Sequence, residues 1–192
     1  MDKEIQRQLV HLSGAFFVIL AQFIPRIHTI AIFVSIALFF FTYSRYVKNS
    51  KRSYSVVNVV ENKIRSLFLK FERDNVKNPF EGAFYFYAGC AFSFILFPLD
   101  IASASSIILA VGDSFSAIIG RLFGKHRIGQ RTVEGTLAFV LTAFLASVFF
   151  VNPFMALSGA IIGSLVELTS KINDNLTIPL VSGVFMLLVS FF

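Results

Sequence analysis

The sequence predicts an all-α fold: a polytopic integral membrane bundle of about seven transmembrane helices, with an amphipathic helix on its cytoplasmic side. Three observations lead there. The chain is 56% hydrophobic, holds 25 Phe and has only 15% charged residues among 192. A soluble domain of that length could not hide so much apolar surface. The apolar residues also gather into runs near the roughly 20 residues that a helix needs to cross a bilayer core. Finally, the cations segregate to one side of the threading those runs impose.

The runs fall at 9–25, 27–43, 82–98, 101–120, 135–151, 153–170 and 176–192. The first is placed like a signal peptide, but no A-x-A-like site follows and a second run starts almost at once, so it is expected to remain. Together they consume most of the chain, leaving one membrane-embedded domain over 1–192 whose site must use helix ends and short loops. Between the second and third runs, segment 44–81 carries its own pattern. Val56, Val60, Ile64, Leu67, Phe68 and Phe71 recur at helical spacing, while Asn58, Lys63, Arg65 and Lys70 occupy other positions. That stripe predicts an interfacial amphipathic helix. The single cysteine, Cys90, excludes an internal disulfide.

With the N-terminus in the cytoplasm, segments 1–8, 44–81, 121–134 and 171–175 share one side and hold every Lys and Arg except Arg26, 16 of the 17. This asymmetry accounts for the sequence pI near 9.7. It predicts a multi-pass protein of the cell membrane, with N-terminus and active site cytoplasmic. Its charge suits anionic lipid headgroups and anionic substrates, with no nucleic-acid partner. The oligomeric state is left open.

Chemistry concentrates in residues 111–135, VGDSFSAIIGRLFGKHRIGQRTVEG. Asp113 lies about two turns inside the fourth run, where a carboxylate costs on the order of 3 kcal/mol unless it meets a partner or a polar cavity. Ser106, Ala110, Asp113, Ala117 and Gly120 recur at 4-3-4-3 spacing, which predicts one small-residue face turned into the bundle. Gly159, Gly163 and Glu167 repeat the device every fourth residue of the sixth run, with Asp174 further along the same side. An ion pair of Asp113 with Arg121 or Arg131 is the plainer account of that acid alone. Several acids at one depth beside a basic loop favour a ligand instead. Glycines 120, 124 and 129 among Arg121, Lys125, Arg127 and Arg131 suit an anion, and phosphate beside carboxylates implies a bridging Mg²⁺. The segment is not a Walker A loop, because no G-x-x-x-x-G-K-[ST] occurs. His11 and Arg7 start the first run at the same depth, and His126 sits in the basic loop.

The stretch GDSFSAIIGRLFGKHRIGQRTVEGTLAF at 112–139 resembles the signature of the CTP-dependent lipid kinases: dolichol and polyprenol kinase, phytol kinase and CTP-dependent diacylglycerol kinase. The matching residues are Gly112, Asp113 and Ser114, then Gly120, Arg121 and Gly124, then Arg131, Thr132, Glu134 and Gly135. RQLVHLSG at 7–14, FERDNVKNPFEGAFYFYAG at 71–89 and VELTSKINDNLTIP at 166–179 are similar to further blocks of that family, in order. The compact length resembles its prokaryotic type. Arg131 departs from the family's usual Lys, and the acid of the third block has no single counterpart between Glu72 and Asp74.

The resemblance implies a kinase that moves the γ-phosphoryl of CTP to the hydroxyl of a membrane lipid alcohol, with Mg²⁺. It implies that Asp113, with Asp174 or Glu167, holds the metal and triphosphate. Lys125, Arg127 and Arg131 would neutralise phosphates. Thr132 and Glu134 would shape the loop, with Ser114, Gly120, Arg121, Gly124 and Asn175 around the nucleotide. Glu134 and the metal-binding acids, with His11, complete the expected catalytic set, and a carboxylate or His11 would take the hydroxyl proton. Two other readings stay open. Phosphatidate cytidylyltransferases, distantly similar in using CTP and intramembrane acids, carry a longer K-D…H-G-G-x-x-D-R-x-D-like run that is absent here. A small anion transporter also fits intramembrane acids, though the chain shows no repeat and its charges collect at one face.

Overall fold

The computed structural model describes residues 3–49, 63 and 79–192. Among them are seven helices and one small hairpin, so the fold is all-α. The helices are α1 (Lys3–Leu20), α2 (Arg26–Asn49), α3 (Glu81–Leu96), α4 (Leu99–Phe123), α5 (Val133–Ser147), α6 (Pro153–Thr169) and α7 (Asp174–Val189). Strands β1 (Arg127–Ile128) and β2 (Arg131–Thr132) pair antiparallel between α4 and α5. The amphipathic helix expected within 44–81 lies outside the described residues.

Each expected run has become a helix, with ends moved by local chemistry. Asn152 caps α6 by accepting from the Met155 amide, and Pro153 follows at the first helical position, where its missing N–H goes unneeded. Thr132 caps α5 by accepting from the Gly135 amide. Two helices, at Arg26–Lys48 and Leu99–Phe123, are long and apolar enough to cross a bilayer, while the other five offer apolar stretches of 10–17 residues. At 1.5 Å per residue, α3's 16 residues rise about 24 Å, short of a hydrocarbon core of about 30 Å.

The distribution of side chains inverts that of a water-soluble bundle. Leu137, Leu141 and Leu145 form an exposed stripe on α5, and Phe154, Leu157, Ile161 and Leu165 form one on α6. The interior instead buries Ser93, Ser103, Ser105, Ser106, Ser114, Ser116, Ser164 and Ser182 among Phe33, Phe94, Phe139 and Met186. Small polar residues inside and large apolar residues outside are what a hydrocarbon solvent selects, and the surface is that of a membrane protein.

Small residues set the helix spacing. On α6, Gly159 lies against Met186 and Ile108, and Gly163 against Ile108, Ser182 and Phe139. Gly89 of α3 abuts α7 so closely that a Cβ there would stand 2.5 Å from the Asn175 carbonyl oxygen. Backbone cannot retreat as a flexible side chain can, so Gly89→Ala is expected to destabilise the bundle by about 1–3 kcal/mol. Thermal unfolding in detergent checks this; an unchanged midpoint would mean that α3 and α7 separate freely.

α4 is continuous but not uniform. Ile108–Asp113 form a π-helical segment, and regular α-helix resumes at Ser114. The face expected to run from Ser106 through Ala117 to Gly120 therefore changes register. Ser106, Ala110 and Asp113 are buried as expected, but beyond the π segment Ser114 and Ser116 are buried and Ala117 is only half-buried. Such segments occur frequently at functional sites.

Arg26, the cation that the expected threading sets apart from the others, has a structural task. Arg26 donates from Nε to the Phe94 carbonyl at 2.7 Å and from one terminal nitrogen to Ile95 at 3.1 Å and Phe97 at 2.8 Å. These are orphan carbonyls at the C-terminus of α3, where a cation also complements the helix dipole. The opposite end of α3 meets α7 at Asn175, the residue after Asp174.

Candidate active site

Three helices deliver one carboxylate each to the same place. Asp113 comes from the end of the π segment, Glu167 from the last turn of α6, and Asp174 from the first residue of α7. Arg131 of β2 reaches all three. Its guanidinium stands 3.0 Å from Glu167 Oε1, 2.8 Å from Asp174 Oδ2 and 3.7 Å from Asp113 Oδ1. The Glu167 side chain is fully buried and that of Asp113 is 9% exposed, against 33% for Asp174. Ser116 donates to the second Glu167 oxygen at 3.1 Å. The planar guanidinium suits this task, because its donors fan out in a fixed fork.

The ion pair between Asp113 and Arg131 is thus present, alongside the gathering of acids. Arg131 is committed to carboxylates rather than presented to solvent. Arg121, Lys125 and Arg127 are exposed around the end of α4 and the hairpin. The turn at Gly129–Gln130 is a two-residue one with φ +59° at Gly129, a left-handed value that glycine adopts without strain. A Cβ at Gly129 would meet nothing within 4 Å, whereas Cβ atoms at Gly120, Gly124 and Gly135 would all press on Thr132. The glycines at 120 and 124 therefore let α4 pack against the cap of α5.

The other expected site residues are dispersed around this centre. Glu134 bonds to His126: the His126 amide donates to its two oxygens at 3.2 and 3.3 Å, and Nδ1 lies 2.7 Å from Oε1. Asn175 donates through Nδ2 to the Gly82 carbonyl at 3.1 Å, tying α7 to the first turn of α3. Its Oδ1 is buried with no hydrogen-bond partner. Ser114 donates to the Ala110 and Gln8 carbonyls, joining α4 to α1. His11 packs edge-on against Phe86 at 5.4 Å. Ser116 escaped the sequence reading because the 3.6-residue period does not carry across the π segment; a serine one position before the expected Ala117 was the available signal.

Glu134 sits ahead of the apolar run of α5. A hydrogen bond from its own backbone N–H, followed by that from His126, holds its carboxyl down to about 2 from the usual 4.5. A depressed carboxyl supports the fold above its unfolded value and loses that support as pH falls through its folded one. Protection of the His126 amide against hydrogen exchange is therefore expected to hold down to about pH 4.5 and to decline toward pH 2. Glu134→Gln should remove this pH dependence. A wild-type profile flat over that window would show that the carboxylate does not brace the hairpin.

The three carboxylates form a hard oxygen donor set of the kind Mg²⁺ prefers. Among the described residues, no group of three His, Cys, Asp or Glu is placed to share a metal ion. Arg131 occupies the centre instead, a resident cation that supplies one positive charge to three formal negatives. The donor chemistry is that of a divalent-ion site, while the spacing is that of three carboxylates gathered around a guanidinium.

No family model matches the sequence, and no solved structure matches it. It is 25% identical over 190 residues to the uncharacterized protein RP860 of Rickettsia prowazekii, covering 93% of this chain and 91% of that protein. It is 39% identical over 88 residues to the dolichol kinase sec59 of Schizosaccharomyces pombe, 38% of this chain and 17% of the kinase. It is 27% identical over 139 residues to the CTP-dependent diacylglycerol kinase 1 of the same yeast, 61% of this chain and 64% of the kinase. The chain is similar to lipid kinases. It spans less than two thirds of the length of either kinase.

Proposed function

We propose that the protein is a membrane-embedded phosphotransferase that moves the γ-phosphoryl group of a nucleoside triphosphate, CTP by resemblance, to the hydroxyl of a membrane lipid alcohol. The single observation that carries this reading is the convergence of Asp113, Glu167 and Asp174 on Arg131 at one end of an apolar-coated bundle, beside a hairpin with exposed cations. Similarity to kinases named for dolichol and diacylglycerol supports the substrate class. In this reading all seven helices span or enter the bilayer as one unit, with the hairpin end cytoplasmic, as the positive-inside pattern requires.

The lipid hydroxyl reaches the acids from the bilayer side, and the triphosphate meets Lys125, Arg127 and Arg121 from water. The hydroxyl oxygen attacks the γ-phosphorus, the bond to the β–γ bridging oxygen breaks, and the nucleoside diphosphate leaves. The hydroxyl proton passes to a carboxylate of the trio or to His11. Asp113, with Glu167 and Asp174, would hold Mg²⁺, which when bound neutralises charge on the phosphates. Arg131 sits within reach of the same space, so the chain's contribution is positioning and electrostatic stabilisation.

The test is label transfer with purified protein in liposomes, Mg²⁺, and a panel of lipid alcohols and phosphatidates. Label passing from the γ position of CTP to an alcohol supports the kinase. Label passing from the α position to a phosphatidate replaces it with a cytidylyltransferase. No transfer with CTP, ATP or GTP overturns both.

A further inference from the structure

A second polar site opens away from the acid cluster. A cavity of about 550 Å³ lies where the end of α2 meets the start of α3. From α2 it takes Phe41, Ser44, Arg45 and Lys48, which follow one another at 3-1-3 spacing and so share one helix face. From α3 it takes Glu81, Phe84 and Tyr85. The Arg45 guanidinium is held at the wall, 5.1 Å from the centroid of the Phe41 ring. Among the described residues that line it, two cations, Arg45 and Lys48, stand against one carboxylate, Glu81. Its volume lies within the roughly 300–1,000 Å³ of small-molecule sites.

Below the cations, the same face of α2 continues as Leu38 and Val34, exposed at 56% and 36%. On α3 the face of Tyr85 continues as Phe92 and Leu96, exposed at 47% and 61%. The two helices run antiparallel, as Phe41 meets Phe84 and Phe33 meets Phe94. An apolar seam therefore descends from a cationic, aromatic-walled head. We propose that this seam and cavity bind a membrane lipid with an anionic phosphate headgroup, the phosphate on Arg45 and Lys48 and the chain along Leu38 and Phe92. Basic pockets between helices at the cytoplasmic surface take such headgroups. The site is distinct from the acid cluster but abuts it: Gly82, next to Glu81, accepts from Asn175.

The proposal rests on the membrane placement above and not on the transferase reading, and its test needs no turnover. Full-length protein in nanodiscs of phosphatidylglycerol or phosphatidylcholine is released for native mass spectrometry, and retained lipid is counted. Selective retention of phosphatidylglycerol is expected. It should fall at least about tenfold in Arg45→Gln/Lys48→Gln, and rise in Glu81→Gln, which removes a carboxylate from the described lining. Millimolar glycerol phosphate should not displace the lipid. Equal retention of both lipids, or retention indifferent to all three substitutions, overturns the site. Displacement by glycerol phosphate would overturn the lipid assignment in favour of a soluble phosphate ester. Should the double variant fail to fold, the Glu81 variant alone still decides, since a gain cannot come from damage.

Discussion

Asp113→Asn is expected to lower phosphoryl transfer at least about 10²-fold, the scale of losing one preorganised charged group, while leaving stability nearly unchanged. The two halves of that expectation come from the geometry. Of the three carboxylates on Arg131, Asp113 makes the longest contact, 3.7 Å, against 3.0 Å for Glu167 and 2.8 Å for Asp174. The guanidinium therefore keeps two short partners when Asp113 is neutralised. Asn is also nearly the same size, so the π segment of α4 need not move. What disappears is a buried charge whose contact with Arg131 is the longest of the three. Activity and thermal midpoint should be measured on the same preparation. Near-normal turnover would sink the role of Asp113, and parallel loss of activity and midpoint would make it a structural ion-pair member.

The sequence made the gathering of Asp113, Glu167 and Asp174 legible because each acid interrupts or ends a long apolar run, and such runs fix depth in the bundle. It also gave Arg131 as one of two partners for Asp113. It did not distinguish Arg131 from Arg121, because that choice depends on the hairpin. Strands of two residues carry no readable period, and the φ +59° turn at Gly129 is one of several ways a glycine can be used. The hairpin folds the chain back so that Arg131 faces the acids, while Arg121 stays exposed at the end of α4. The same hairpin pairs Glu134 with His126, a contact that no periodicity announces. The π segment was equally hidden, since nothing in Ile108–Asp113 marks a sixth residue per turn-closing bond. Helix existence survived all of this, because apolar runs of this length determine it from composition alone.

Arg131→Gln is the substitution with the largest expected structural effect. It leaves Glu167, whose side chain is fully buried, without its 3.0 Å partner. Removing one partner of a buried ion pair costs about 3–5 kcal/mol, because the remaining charge stays desolvated. Ser116 continues to bond one Glu167 oxygen, but a neutral hydroxyl does not replace a guanidinium. In the absence of divalent ions the variant should therefore unfold well below wild type. Adding Mg²⁺ or Mn²⁺ should raise its midpoint far more than that of the wild type, because an added cation takes the place the guanidinium held. Arg131→Lys should fall between, since a point charge satisfies one carboxylate well but cannot span three helices. The decisive quantity is the difference in divalent-induced stabilisation between Arg131→Gln and wild type, read by thermal unfolding without nucleotide or lipid substrate. A clear excess in the variant means that the three carboxylates form a cation site which Arg131 fills from within. No excess means that they are spaced for a guanidinium alone, and the metal would then have to be carried in on the triphosphate.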